Sequence, residues 1–342
     1  MPHFISSEPS ATELAAMEAL AAGDSGGSCQ EPPSSGVNCP KASDALTSIQ
    51  KKAHWYYYNQ DGFPQMDWPV VGGAWQVKIQ EADPPPPPPA ATNRHKYDIM
   101  TYCCFTDFYL ELKFRCPNQR TIWDKCNANK GLEGPRNWGN SGVIVQNTYE
   151  LQILDSHGVV IPDPKPATTA KTDLGGCKAA GTFPARFGEI CGALYMNFVP
   201  DANGVKTAEN VDGKSPPEPG GMWNEMRIWF MTARYDVSGA TPVLKKKATF
   251  TVKINQLNAY NAVPYTHQRQ GITKKTSGSR AAPGKFGRIA DNRYGSGWKM
   301  DRGPLVLQEH DNKVEFKDIK IDLSWKPKKA DDSFDDAWQQ DA

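Results

Sequence analysis

What this sequence lacks narrows the field before any motif is read. It has no excess of one charge: thirty-nine Lys and Arg face thirty-eight Asp and Glu, a formal net charge of +1. The overall balance therefore draws it neither to nucleic acid nor to an anionic membrane. No run reaches the roughly 18 apolar residues that a bilayer-crossing helix needs. CxxC pairs with nearby His, the usual spacing of a zinc site, are missing. The early run LAAMEALAAG has no basic segment before it and carries Glu18, so it makes a poor secretory signal. Nor does any stretch of the 342 residues carry a convincing long amphipathic helix.

Cysteine and aromatic residues, by contrast, are plentiful. Eight cysteines form an even set, which favours disulfides and an oxidising compartment, so the protein is expected to be secreted, periplasmic or at the cell surface, its export signal removed or outside this numbering. Cys116 with Cys126, and Cys177 with Cys191, lie close enough in sequence to staple loops, although spacing alone does not fix connectivity. Adjacent Cys103 and Cys104 point to opposite faces of a strand, unlike a chelate. Ten Trp offer flat faces that pack a core or stack on sugar rings.

Along the chain, residues 1–52 are rich in Ser, Ala, Gly and Pro and read as a flexible leader, with a short helix over Ala11 to Ala22 and anchorage at Cys29 and Cys39. The folded domain is expected over 53–325, followed by an acidic tail, 326–342. Six consecutive prolines, Pro84 to Pro89, form a stiff polyproline II loop. Arg269 to Arg302 holds nine Lys and Arg against two Asp, but without a basic helix or stacked aromatics it reads as a solvated loop. The rest is period-2 alternation with turn punctuation: FYLELKFR, NEMRIWFM, ATFTVKINQ with a turn at Asn255, and two closing strands around LVLQEH and VEFKDIKI. This pattern specifies an all-β sandwich of jelly-roll type with long loops and flexible termini.

The stretch GNSGVIVQNTYELQILDS, from Gly139 to Ser156, reads as a β-hairpin turning at Asn147 and Thr148. Its second strand sends Tyr149, Leu151 and Ile153 to one face and Glu150 and Gln152 to the other. Two hydrogen-bonding side chains in register could line a groove. In FYLELKFR the polar face carries Glu111, Lys113 and Arg115. If that strand shares a sheet with the hairpin, these residues join Glu150 and Gln152 over one concave surface; otherwise they form cross-strand ion pairs on a solvated face.

Four pieces, FYLELKFRC, GNSGVIVQNTYELQILDS, CGALY followed by WNEMRIWFMTARYD, and GPLVLQEHDNKVEFKDIKI, resemble the DUF1080 or 3-keto-disaccharide hydrolase domain family. Its fold is a concanavalin A-like jelly roll. The resemblance spans roughly Trp55 to Leu323, and departs from the family at HWYYYNQDGF and Arg227. It implies an oligosaccharide or glycoside substrate oxidised to a ketone at C3. The ketone acidifies the C2 hydrogen, so a base removes that proton, the C1 substituent leaves and water adds back. On the matching motifs, Glu150 and His310 are the candidates for proton transfer. Gln152, Gln146, Lys113 and Arg115 are candidates to hold hydroxyls or the oxyanion, with Glu111 beside them and Trp138 and Asn140 at the mouth of the hairpin.

Several other readings stay open. His310 reads equally as a structural histidine, His157 as a loop residue and Asp155 as a turn cap. Glu111 with Glu150 could form a glycosidase carboxylate pair. A divalent metal on Glu150, His310 and a loop oxygen is possible, though no spacing is diagnostic. The alternative from another class is a non-catalytic carbohydrate-binding or surface-assembly sandwich.

Overall fold

The structure, a computed structural model, describes residues 26–28, 39, 41, 46–52, 55–57, 66–79, 97–118, 138–146, 149–157, 159, 161, 164–169, 187–195, 197–200, 217–236, 243–255, 257–265, 303–310 and 312–325. In chain order the elements are β1 (Gly26–Ser28), β2 (Thr47–Ser48), a single helical turn α1 (Ile49–Lys52), β3 (Trp55–Tyr57), β4 (Val70–Val71), β5 (Ala74–Gln76), β6 (Ile99–Thr101) and β7 (Cys103–Phe105). They continue with β8 (Phe108–Arg115), β9 (Ser141–Val145), β10 (Tyr149–Ile153), β11 (Asn224–Met231), β12 (Arg234–Asp236), β13 (Val243–Lys246), β14 (Ala248–Ile254), β15 (Leu257–Tyr265), β16 (Leu305–Leu307) and β17 (Glu315–Asp322).

Two antiparallel sheets make the sandwich. One runs β10-β9-β16-β6-β3; the other runs β15-β14-β11-β8-β17-β5-β4, with β2 added beside β17. The all-β jelly-roll expectation holds. In the larger sheet the sequence alternation maps directly onto burial: β8 and β11 alternate buried and half-buried along all eight residues. Their apolar faces supply Phe108, Leu110, Leu112, Phe114, Met226, Ile228 and Phe230 to the core, opposite Val143, Val145, Leu151 and Ile153 of the smaller sheet. Tyr149 links the layers, its ring 5.6 Å from that of Phe230 and 5.3 Å from that of Phe250. Asn255 turns as expected, at φ 48, between paired Ile254 and Leu257.

The smaller sheet is buried on both faces. Every residue of β9 and β10 is buried, and its outer face carries an apolar cluster of Tyr56, Met100, Tyr102, Ile144 and Val306. The outer edge of β10 is also covered. Residues 192–195 bond to it through Gly192 N–H to Gln152 O, Gln152 N–H to Ala193 O and Tyr195 N–H to Glu150 O. The long span after Ser156 is thus ordered where it meets the sheet.

Disulfides are present, but not at the expected staples. Cys39 bonds Cys103, across a sequence separation of 64, and Cys104 is disulfide-bonded as well. Cys116 and Cys191 are free and buried, which corrects the pairings Cys116–Cys126 and Cys177–Cys191. The leader is tied to the domain at several points: β1 pairs with β7, Cys39 is covalently held, β2 pairs with β17 and Ile49 is wholly buried. Cys29, the Ala11 to Ala22 helix, the proline run, the basic stretch, the hairpin pair Asn147 and Thr148, and the acidic tail lie outside the described residues.

Candidate active site

The hairpin forms as its sequence specifies. β9 and β10 pair with Tyr149 opposite Val145 and Ile153 opposite Ser141. β16 adds on the other side of β9, with Val306 opposite Ile144, and Gln308 N–H continues the ladder to Gly142 O at 3.1 Å. With a period of two, these registers place Glu150, Gln152, Gly142 and Gln308 on the same outer face.

On that face the side chains from β10 and from the end of β16 meet across β9. Gln308 Nε2 donates to Glu150 Oε1 at 3.1 Å. Between them lies Gly142, where a Cβ would come within 3.2 Å of Glu150 Cγ and 3.3 Å of both Glu150 Oε1 and Gln308 Oε1. A Cβ there is tighter than ordinary van der Waals contact and presses on both side chains. Glu150 is 7% and Gln308 0% exposed.

Gln152 is the hub of the neighbouring strand end. Its Nε2 donates to Asn140 Oδ1 at 2.5 Å, Ile153 O at 2.8 Å and Ser141 O at 3.0 Å. Asn312 Nδ2 donates to His310 O at 2.7 Å, while its Oδ1 accepts Gly139 N–H at 3.2 Å, tying the His310 stretch to the start of β9. Asp98 Oδ1 accepts the Glu309 N–H at 2.6 Å, which fixes the same stretch to β6. Gly139, at φ 71, abuts Cys116, where a Cβ would fall 2.5 Å from the Cys116 Cβ.

The structure thus brings together Glu150, Gln152 and Asn140 with Gln308; His310 lies two residues beyond Gln308, its backbone carbonyl held by Asn312. The remaining candidates lie elsewhere. Glu111, Lys113 and Arg115 do not share a surface with Glu150: β8 belongs to the eight-stranded sheet, and their face points away from the core on the opposite side of the sandwich. There they form ion pairs. Lys113 Nζ donates to Asp318 at 2.9 Å. Arg115 Nε donates to Glu315 Oε2 at 2.6 Å, its guanidinium 4.7 Å from the Trp223 ring. Glu111 accepts Tyr109 Oη at 2.9 Å. The hydrogen bond from Lys113 lowers the Asp318 pKa, and both side chains are substantially exposed. The paired-carboxylate reading of Glu111 with Glu150 fails for the same topological reason.

Gln146 ends β9 at the far end from Asn140, and its Nε2 is engaged by Phe105 O at 2.9 Å and Thr232 Oγ1 at 3.0 Å. Trp138 is 7% exposed and packs in a second apolar cluster with Leu154, Phe187 and Ile190. Asp155 caps a turn, accepting Gly220 N–H at 3.0 Å and His157 N–H at 3.4 Å. Next to it His157 Nδ1 donates to Pro217 O at 2.7 Å. Among the described residues no group of three or more His, Cys, Asp or Glu is arranged to hold a metal ion.

Sequence reasoning passed over Gln308. The available signal was its parity with His310 in the alternating run LVLQEH, but recognising its role required knowing that β16 lies beside β9.

The model of the 3-keto-alpha-glucoside-1,2-lyase-like domain matches residues 50–322. The chain belongs to this family. Two solved structures are similar, both described as a "putative glycosyl hydrolase" from Parabacteroides distasonis ATCC 8503. The first has 18% identity and a TM-score of 0.47 over 81% of this chain and 82% of that one; the second has 14% identity and a TM-score of 0.41 over 81% and 93%. No curated protein matches the chain. The matched span contains every strand of both sheets except β2, and the whole Glu150 constellation.

Proposed function

We propose that this protein cleaves 3-keto-glycosides by elimination and hydration, with Glu150 as the base. The observation that carries the reading is a carboxylate held by a buried amide on the outer face of the smaller sheet, in a chain of the 3-keto-alpha-glucoside-1,2-lyase-like family. The Glu150 carboxylate takes the C2 proton, and the C–H electron pair forms the C2=C3 bond with charge on O3. The enolate then collapses: the C3 carbonyl re-forms, C1=C2 forms, and the C1–O bond breaks. His310 protonates the departing oxygen. Water adds across C1=C2, hydroxyl to C1 and proton to C2, regenerating a 3-keto sugar.

In this reading Asn140, whose Oδ1 is occupied by Gln152, donates from its Nδ2 to a substrate hydroxyl, and Gln152 holds it in place. The two disulfide-bonded positions of β7 support a site of action outside the cytoplasm. The test is incubation with a 3-keto-disaccharide. The wild-type chain releases sugar, and Glu150→Gln abolishes turnover while leaving the melting temperature nearly unchanged. Persistence of activity in Glu150→Gln removes Glu150 as the base. Glycan binding without sugar release by the wild type makes the chain a binding module instead.

A further inference from the structure

We infer that Gln308 is a positioning residue for Glu150 and that Gly142 is the clearance this contact requires; the inference rests on the reading of Glu150 as the base. Three buried glutamines lie in or beside this sheet, and they differ in how their polar atoms are used. Gln146 engages Thr232 through both ends of its amide, and Gln152 makes three bonds through one nitrogen. Gln308 makes a single side-chain bond among the described residues, Nε2 to Glu150 Oε1, and its buried Oε1 has no partner there.

A buried carbonyl left unpaired weighs against folding, and an apolar side chain of similar size would avoid it. Stability therefore gives little reason for an amide at this position. The carboxylate at its other end supplies one. A donated hydrogen bond to an ionised acceptor is short-ranged and directional, so the amide selects one orientation of the Glu150 side chain before substrate arrives.

Gly142 supports this independently. Glu150 and Gln308 stand on the strands flanking β9 and reach each other over the one β9 residue that has no side chain. Any Cβ there crowds both partners at once. The amide, the carboxylate and the gap between them form one device for aiming a base, and aim matters because a displacement of about 1 Å costs on the order of 100-fold in rate.

The experiment measures turnover of a 3-keto-disaccharide, unlabelled and carrying deuterium at C2, by the full chain and by Gln308→Leu and Gly142→Ala. Gly142→Ala removes no hydrogen-bonding group and carries the test if Gln308→Leu does not fold. The expected result is kcat lower by about 100-fold in Gln308→Leu and by a smaller factor, about 3- to 10-fold, in Gly142→Ala, whose Cβ displaces its neighbours by less than about 1 Å, with KM nearly unchanged in both. The isotope effect should also be larger than in the wild type, because proton removal becomes the slow step. A role confined to folding would reduce the active fraction without moving the isotope effect. Full kcat, a change in KM alone, or an unmoved isotope effect overturns the positioning role while leaving Glu150 as base. Activity in Glu150→Gln, or an inactive wild type, overturns the base and this inference together.

Discussion

At the residue scale, two free thiols among the described residues show how burial governs chemistry. Cys116 and Cys191 are 2% and 0% exposed. Removal from solvent pushes both thiols up, Cys191 to about 12, with Asp155 opposing ionisation of each. The thiolate is the reactive form, so at pH 8 both side chains stay protonated and inert. Peptide mapping after iodoacetamide treatment should find neither position alkylated in the native protein and both alkylated in denaturant. Alkylation of Cys191 in the native state would show that the second apolar cluster beside it opens readily. Glu150 is buried as well, but it accepts a hydrogen bond from Gln308 Nε2.

At the scale of elements, alternation identifies which face of a strand is apolar but not which sheet the strand joins. The period-2 alternation along the eight residues of β8 was legible from Phe108, Leu110, Leu112 and Phe114 alone, and the structure reproduces it residue by residue. Its partners β11 and β17 lie more than a hundred residues away in sequence, and no local pattern encodes that choice. The shared surface expected for Lys113 and Glu150 therefore dissolved, whereas the hairpin, whose strands are adjacent in the chain, survived intact. The polar pattern of Glu150 and Gln152 also resembled an open face. Period 2 cannot distinguish a solvated face from one that is covered and internally hydrogen-bonded. On this placement, Lys113→Ala should leave turnover of a 3-keto-disaccharide unchanged and shift stability by less than about 1 kcal/mol, since its partner Asp318 is an exposed one. A kinetic loss in this variant would place the functional surface on the larger sheet after all.

At the scale of the whole molecule, the N-terminal region is joined to the sandwich by a covalent bond as well as by strands. The Cys39–Cys103 bridge closes a loop with a sequence separation of 64, for which the chain-entropy model gives a stabilisation of about 4 kcal/mol. Cys39→Ser should lower the denaturant midpoint and steepen the slope, because the unfolded chain loses its cross-link and exposes more surface; an unchanged midpoint would mean that the bridge does not constrain the unfolded chain. The covering of β10 by residues 192–195 has a separate implication. A terminal strand normally offers its free amides and carbonyls to any passing chain, and the strand bearing Glu150 would be that terminal strand. Because Gly192, Ala193 and Tyr195 already occupy those groups, recruitment of a second molecule at this border first requires peeling the segment away. The protein can therefore keep its proposed reactive strand at the rim of a sheet without making that rim a seed for fibre growth.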